Sequence, residues 1–200
     1  MKKLYMMLAL STIVLTGCGG GYADVTIDGP QAPSPQPIYE NLRYPTISGL
    51  EFYNSVNPAT SYLTDARGSY FGYAGRDTVT FVLGDIVLFS MPGYLAVPYG
   101  SLYDGAAYSN SILLSNTAVE NLMAFLMTVD DDGDYRNGIQ IAPTVRAAAR
   151  GLHINFNQPV AAFYSDSQVQ YAASVLSANT LYGPRSLPSP AQAQNALRTP

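Results

Sequence analysis

The sequence is short of the side chains that most enzymes use. It has one cysteine, Cys18, one histidine, His153, and no tryptophan among 200 residues. A single cysteine cannot form an internal disulfide bond, and a single histidine cannot supply a cluster of zinc ligands. A Gly-x-Ser-x-Gly turn and a phosphate-binding loop are also missing from the sequence. We therefore predict that the protein is not an enzyme, and that His153 is a hydrogen-bonded or exposed residue rather than a catalyst.

Basic side chains are equally scarce. The only lysines are Lys2 and Lys3, and residues 18–200 carry eight arginines against fourteen acidic residues, a formal net charge of −6. No basic patch is left to attract phosphate groups, so we expect no nucleic-acid partner. Anionic lipid head groups are poor partners for the same electrostatic reason.

The amino terminus has the pattern of a targeting signal. Two lysines precede an apolar run over residues 4–15, and the run ends in Leu15-Thr16-Gly17-Cys18. This order of charged, apolar and small residues predicts a signal peptide over residues 1–17, and the run is too short for a membrane-spanning helix of the mature protein. An ordinary secretory signal that includes a cysteine by chance is the alternative.

Residues 15–18, at the end of that signal, resemble a bacterial lipobox. The resemblance implies cleavage before Cys18, a diacylglycerol group on its sulfur and an acylated, palmitate-bearing amino terminus. Several acyl chains together anchor a protein stably to a bilayer. By analogy with lipoprotein sorting in Gram-negative bacteria, Gly19 favours the outer membrane. We therefore expect a cell-envelope protein, lipid-anchored in the outer membrane, on either its periplasmic or its surface face.

Residues 18–44 are rich in proline and glycine. The prolines at positions 30, 33, 35 and 37 favour an extended polyproline conformation of roughly 3 Å per residue, so this segment is predicted to be a tether. Residues 45–200 are enough for one domain with a buried core, and too few for two domains of ordinary size.

The first part of that domain, residues 45–99, is predicted to be rich in β-strands. Six short segments alternate in hydrophobicity or carry many β-branched and aromatic residues: 46–53, 60–63, 69–73, 78–83, 86–90 and 93–99. Gly84-Asp85 has the composition of a hairpin turn. Strands at this spacing indicate a small antiparallel β-sandwich.

The second part, residues 116–197, has helical spacing. A capping box formed by Thr117 and Glu120 predicts the start of an apolar helix that runs to Val129. Further elements are predicted to follow: a helix over residues 144–151 after Pro143, a strand over 152–156, and helices over 163–178 and 189–197. The predicted fold class is therefore α+β, a β-sandwich followed by a helical half.

Four aspartates are clustered where the first predicted helix ends. Carboxylates at the carboxyl end of a helix face the negative pole of its dipole and one another, which is unfavourable unless a cation or solvent compensates. Asp130, Asp132 and Asp134 alternate like the first oxygen ligands of a calcium-binding loop, and the carbonyl of Arg136 continues the series. The twelfth position holds Ile141 instead of glutamate, so Ca²⁺ would bind weakly.

The other ligands of such a site would come from Asp104 or Asp166, and Asp131 would point away from the ion. The main alternative is a solvated helix end that is closed by a turn at Asn137-Gly138. A glycosidase-type pair of carboxylates is formally open as well, but the aspartates are clustered rather than separated across a cleft.

The wider pattern resembles a group of bacterial envelope lipoproteins, mostly of unassigned function. The shared parts are the lipobox, a Gly49-Leu50 strand with Tyr53, strands over residues 65–73 and 75–84, and a helix ending in a Leu-Asp-x-Asp-x-Asp-x-x-Asn-Gly-Ile-like loop over residues 126–139. Val129 stands where leucine is usual and Tyr135 where proline is common, but the aspartate series is intact. The resemblance implies a sandwich similar to transthyretin or carboxypeptidase-regulatory domains, a fold used for display and adhesion more than for catalysis.

These features lead to two expectations of function. The first is a non-catalytic binding or adhesive module with a weak calcium site, whose tyrosine-rich loops over residues 94–108 contact a protein or a surface polymer. The second is a periplasmic scaffold lipoprotein that docks with another envelope component.

Overall fold

The chain folds into a mixture of antiparallel sheets and helices, which confirms the α+β class. The structure, a computed structural model, describes residues 36–42, 45–73, 77–93 and 116–198, and they belong to one compact unit. The strands are β1 Pro37–Asn41, β2 Ile47–Ser48, β3 Glu51–Asn54, β4 Asn57–Leu63, β5 Ser69–Tyr73, β6 Thr78–Leu83, β7 Ile86–Pro92 and β8 Ile139–Gln140. The α-helices are α1 Asn116–Val129, α2 Pro143–Ala148, α3 Val160–Ser165, α4 Ser167–Ser177 and α5 Pro190–Arg198.

The largest sheet has four antiparallel strands in the order β4-β3-β6-β7. Alternate residues of β6 are buried, with Val79, Phe81 and Leu83 in the core, as a period of two requires. The chain turns from β6 into β7 at Gly84 and Asp85, which confirms the predicted hairpin. The sequence alone could predict this hairpin, because its turn depends only on the residues of the turn itself.

Strand β1 lies inside the segment predicted to be a tether. It pairs antiparallel with β5, from Pro37 opposite Tyr73 to Asn41 opposite Ser69. These five residues therefore form a paired strand, whereas the sequence predicts an extended tether there. Pro37 does not prevent the pairing, because a proline at the first position of a strand removes no hydrogen bond from the middle of the ladder.

Aromatic side chains connect this small sheet to the larger one. The rings of Phe71 and Phe52 have centroids 5.5 Å apart, and those of Tyr70 and Phe81 are 5.1 Å apart, both edge-on. Such contacts add to the stabilisation from burial alone. The two sheets are therefore joined by contacts between aromatic rings.

Helix α1 is the centre of the helical part. Nearly all of its side chains between Ala118 and Val129 are buried, as expected for a helix that is apolar on all sides. It packs against α5 and α4. The helix begins at Asn116, so Thr117, the predicted cap, lies in its first turn.

Two predictions for the segment after α2 are wrong. The helix predicted over residues 163–178 is two helices, because the Asp166 side chain accepts a hydrogen bond from the Gln168 backbone and starts α4 there. The strand predicted over residues 152–156 pairs with no strand of the described chain. Burial does alternate along it, but a sheet also requires a partner backbone.

A short parallel pair joins the two parts of the fold. Ile47 and Ser48 of β2 lie beside Ile139 and Gln140 of β8. Strand β8 follows the acidic loop directly, so this pairing fixes the loop at its far end. The near end is fixed by α1. The loop is thus held between the most buried helix and the β-rich part.

Candidate functional site

The acidic loop runs from the end of α1 at Val129 to the start of β8 at Ile139. It contains a 3₁₀-helix, Tyr135–Asn137, which is followed by Gly138 with a φ of 107° and a ψ of 169°. Its first tight bend is at Gly133, where φ is +75°. A Cβ there would lie 2.5 Å from Nη1 of Arg185 and 2.7 Å from the ring of Tyr182. Glycine is therefore needed both for conformation and for space.

Asp130 is fully buried at the helix exit. Its Oδ1 accepts a hydrogen bond from the Gln140 backbone at 2.8 Å, while its Oδ2 has no hydrogen-bond partner among the described residues. Burial, reinforced by the negative charge of Asp132, raises the pKa of Asp130 to about 6 despite the bond from Gln140. Asp130 therefore binds a proton more readily than an ordinary aspartate does.

Asp132 lies at the surface and is surrounded by donors. Its oxygens accept from the Asp134 backbone at 2.9 Å, from Nδ2 of Asn137 at 2.8 Å and from Nε2 of Gln140 at 3.0 Å. The bond from Asn137, and after it the bond from the Asp134 backbone, hold the pKa of Asp132 below its usual range. Gln140 thus contacts both aspartates, one through its backbone and one through its side chain.

Asp134 and Arg136 form the outer part of the loop. The Asp134 carboxylate accepts from the Arg136 backbone at 3.3 Å and starts the 3₁₀-helix. Its Oδ1 is also 3.8 Å from the Arg136 guanidinium, and both side chains are more than half exposed. An exposed pair of this kind contributes little to stability.

The guanidinium of Arg185, which the sequence gave no reason to select, lies at the end of α1. Its Nε donates to the Thr128 carbonyl at 2.7 Å, and its Nη2 donates to the Asp130 carbonyl. The Thr128 carbonyl belongs to the last turn of the helix and the Asp130 carbonyl follows it directly, where no intrahelical donor is available. A positive charge at this end also compensates the helix dipole and the nearby carboxylates. Arg185 therefore supplies a positive charge where the crowded carboxylates require one.

Asp131 connects the loop to the turn before Arg185. Its Oδ1 accepts from the Leu181 backbone and its carbonyl accepts from the Tyr182 backbone, both at 2.9 Å. The Arg185 guanidinium lies 4.8 Å from the centre of the Tyr182 ring. The acidic loop and residues 181–185 are consequently one hydrogen-bonded structure, formed by residues about 50 positions apart.

The structure brings together some of the predicted ligands and not others. Asp130 and Asp132 are close enough for each to affect the pKa of the other. Asp134 faces Arg136, and Asp166 lies at the start of α4, where it accepts hydrogen bonds from Gln168 and Gln158. Within the described ranges, no three acidic, histidine or cysteine side chains form a group that could hold a metal ion.

Other predicted residues lie outside the described part of the chain. These are Cys18, Asp104 and the tyrosine-rich loops over residues 94–108. His153 is described, and its side chain is exposed on the extended segment after α2. None of the helices in the described ranges has the length and hydropathy needed to cross a membrane.

The chain was also compared with known proteins. No family model, curated protein or solved structure matches it.

Proposed function

We propose that the protein is a lipid-anchored cell-envelope protein whose folded part is a non-catalytic binding module. The observation that carries this proposal is the turn at Leu181 and Tyr182. Leu181 is 87% exposed and Tyr182 is 66% exposed. Burying either side chain against a partner would gain roughly 1.5–3 kcal/mol, and tyrosine is enriched among the residues that contribute most to binding. Together they are suited to be the anchor of a contact surface.

The turn is also held in one conformation. Two backbone hydrogen bonds to Asp131 and the contact between Tyr182 and Arg185 fix it to the acidic loop. Fixed contact residues lose little conformational entropy when a partner binds, which favours affinity. On this proposal the acidic loop is a support for the turn. A stable interface buries about 800 Å² on each partner, so neighbouring surface would have to take part.

The proposal is tested by capture of envelope proteins with the full lipidated chain as bait. A Leu181→Ser/Tyr182→Ser double variant should lose the partner that the unaltered chain retains. A Val56→Ser/Val87→Ser double variant is the matched control, because these valines are 57% and 53% exposed and lie on β-strands or their turns. Equal capture by all three proteins would contradict the role of the turn.

Membrane attachment through Cys18 is the second part of the proposal. It is supported by the signal peptide pattern and by the lipobox-like residues 15–18. Cells that express the chain and are fed an alkyne analogue of palmitate should label it, and Cys18→Ser should abolish the label. Unlabelled protein from both strains would favour an ordinary secretory signal. The resemblance to envelope lipoproteins is part of this same proposal.

The finer fold that we propose is a transthyretin-like or carboxypeptidase-regulatory-like β-sandwich. The antiparallel order β4-β3-β6-β7 and the aromatic contacts between Phe71 and Phe52 support it. An experimental structure in which β1 and β5 do not cover the face of the larger sheet would refute it.

A weak calcium site at Asp130, Asp132, Asp134 and the Arg136 carbonyl is a further proposal. It is supported by the proximity of Asp130 and Asp132 and by the buried Oδ2 of Asp130, which has no hydrogen-bond partner in the described ranges. Arg185 would compete with the ion for the same negative charges. Millimolar Ca²⁺ should raise the melting temperature of the full chain, and Asp132→Asn should remove this effect. Identical melting curves in Ca²⁺ and in chelator would disprove the site.

The alternative is a periplasmic scaffold lipoprotein that docks with another envelope component. Protease added to intact cells distinguishes the two functions. Cleavage within residues 99–110 would place the module on the cell surface and support adhesion. Protection in intact cells, with cleavage after the outer membrane is permeabilised, would support the scaffold.

A further inference from the structure

We propose that a cleft between the segment after α2 and helix α4 binds one ring of a neutral saccharide. The cleft has a volume of about 290 Å³ and is lined by Gly151, Leu152, His153, Ser167, Gln168 and Tyr171. This inference goes beyond the proposed function, because it involves neither the lipid anchor, nor the acidic loop, nor the turn at Leu181 and Tyr182.

Four polar side chains around the cleft are available to a ligand. Among the described residues, the side chains of His153, Ser167, Gln168 and Tyr171 form no hydrogen bond with the protein. The neighbouring Asp166 is different, because its carboxylate accepts from the Gln168 backbone and from the Gln158 side chain. Isolated surface groups of this kind would simply be hydrated. Four of them around one concavity make a set of donors and acceptors that a ligand can use.

The two walls of the cleft are fixed by hydrogen bonds. One wall is held by the Gly151 backbone N–H, which donates to the Asp85 carboxylate at 2.7 Å. The other wall is the first part of α4, which begins at its Asp166 cap. The chain between them is extended without being part of a sheet, so His153 faces outward while Leu152 and Ile154 are half-buried. The polar groups are therefore presented by backbone that is already ordered.

The chemistry of the lining favours a neutral, hydroxyl-rich ligand. None of the described lining residues is acidic or is an arginine or lysine, so an ionic ligand would find no opposite charge there. Tyr171 is 61% exposed and offers an aromatic face, on which the apolar C–H face of a sugar ring can stack. The hydroxyl, amide and imidazole groups can exchange hydrogen bonds with sugar hydroxyls.

The size of the cleft limits the ligand and its affinity. Ligand pockets usually have volumes of about 300–1,000 Å³, so this cleft is at the small end and fits a single ring of a longer polymer. A small ligand in an open site makes few contacts, and we expect dissociation constants in the millimolar range for a disaccharide.

The experiment uses the fact that His153 is the only histidine of the chain. Its imidazole NMR signals are therefore unambiguous in the full chain held in detergent micelles. Titration with maltose and, separately, with di-N-acetylchitobiose should give a saturable shift of these signals with at least one of the two sugars. Tyr171→Ala should weaken binding at least fivefold, and Tyr171→Phe should weaken it less than threefold because the ring is kept. Tyr39→Ala is the matched control, because Tyr39 carries a similarly exposed ring on β1, and it should bind as the unaltered chain does.

Several outcomes would overturn the proposal. One is the absence of a saturable shift with both sugars up to the highest soluble concentration. Another is unchanged affinity in Tyr171→Ala, or, if that variant does not fold, in Gln168→Met, which should weaken binding at least threefold. A shift with trialanine and not with the sugars would make the cleft a peptide site. None of these results would affect the role of the Leu181 turn, which is tested by capture of partners.

Discussion

Replacement of Arg185 by methionine tests whether the acidic loop depends on a cation supplied by the chain itself. Methionine keeps most of the aliphatic volume beside Tyr182 and removes the guanidinium. Two hydrogen bonds to the carbonyls of Thr128 and Asp130 are then lost. Bonds that involve a charged donor contribute about 1.5–3 kcal/mol each, and the two are not additive because they share one group and one helix end.

We therefore expect Arg185→Met to lower the free energy of unfolding by about 3 kcal/mol. For a chain of this length each 1 kcal/mol corresponds to a shift of about 2–4 °C in melting temperature, which predicts a fall of about 6–12 °C. Circular dichroism of the full chain during heating and during urea unfolding would measure it. Added Ca²⁺ should restore part of the loss if an ion can take the place of the guanidinium.

Arg136→Met is the matched control, since it removes the same charge from the same loop. Its guanidinium is 78% exposed and makes one long ion pair, 3.8 Å from Asp134. We expect Arg136→Met to lower the free energy of unfolding by about 0.5 kcal/mol or less. If the two variants unfold at the same temperature, the position of Arg185 at the helix end is not what stabilises the loop.

Three other substitutions examine the same region and its surroundings. Because burial raises the pKa of Asp130 from 3.8 to about 6, the folded protein binds this proton more tightly than the unfolded chain. Below pH 4 this proton should therefore stabilise the folded protein by about 3 kcal/mol, and the stabilisation should be lost as the pH rises through 6. Midpoints of urea unfolding should accordingly fall between pH 4 and pH 7.5. The midpoints of Asp130→Asn should not show this fall. Gly133→Ala should lower the free energy of unfolding more than Gly151→Ala does, by at least about 1 kcal/mol. The two glycines have similar φ angles of +75° and +78°, but an added Cβ would meet other atoms only at Gly133. Equal losses would mean that the contacts with Arg185 and Tyr182 are unimportant. Asp166→Ala should lower the free energy of unfolding by about 1 kcal/mol, because it removes the cap of α4. An unchanged midpoint of urea unfolding would contradict the capping role of Asp166.

The elements that could be predicted from the sequence are those with a local cause. The β6–β7 hairpin has its turn at Gly84 and Asp85, and α1 has an apolar repeat that lasts for almost four turns. The boundary between α3 and α4 also has a local cause, because an aspartate followed by Ser167 and Gln168 is a typical start of a helix. The spacing of the apolar residues around it, however, indicated one continuous helix.

The missed features depend on contacts between distant residues. Strand β1 could be recognised only with β5 beside it, because its own sequence is that of a proline-rich linker. In the acidic loop, the sequence indicated the crowded carboxylates and the need for compensation. It could not show that Arg185, 55 residues after Asp130, would reach the helix end. No local periodicity links these positions, and the turn at Leu181 and Tyr182 depends on the same contact.

The parallel pair β2–β8 has a consequence for how the chain folds. Ser48 and Ile139, which also share a side-chain hydrogen bond, are 91 residues apart, so their contact closes a long loop and should form late. Until it forms, the carboxylates after α1 repel one another without the donors of Gln140. Dissolved salt screens that repulsion. The rate of refolding should accordingly increase with ionic strength.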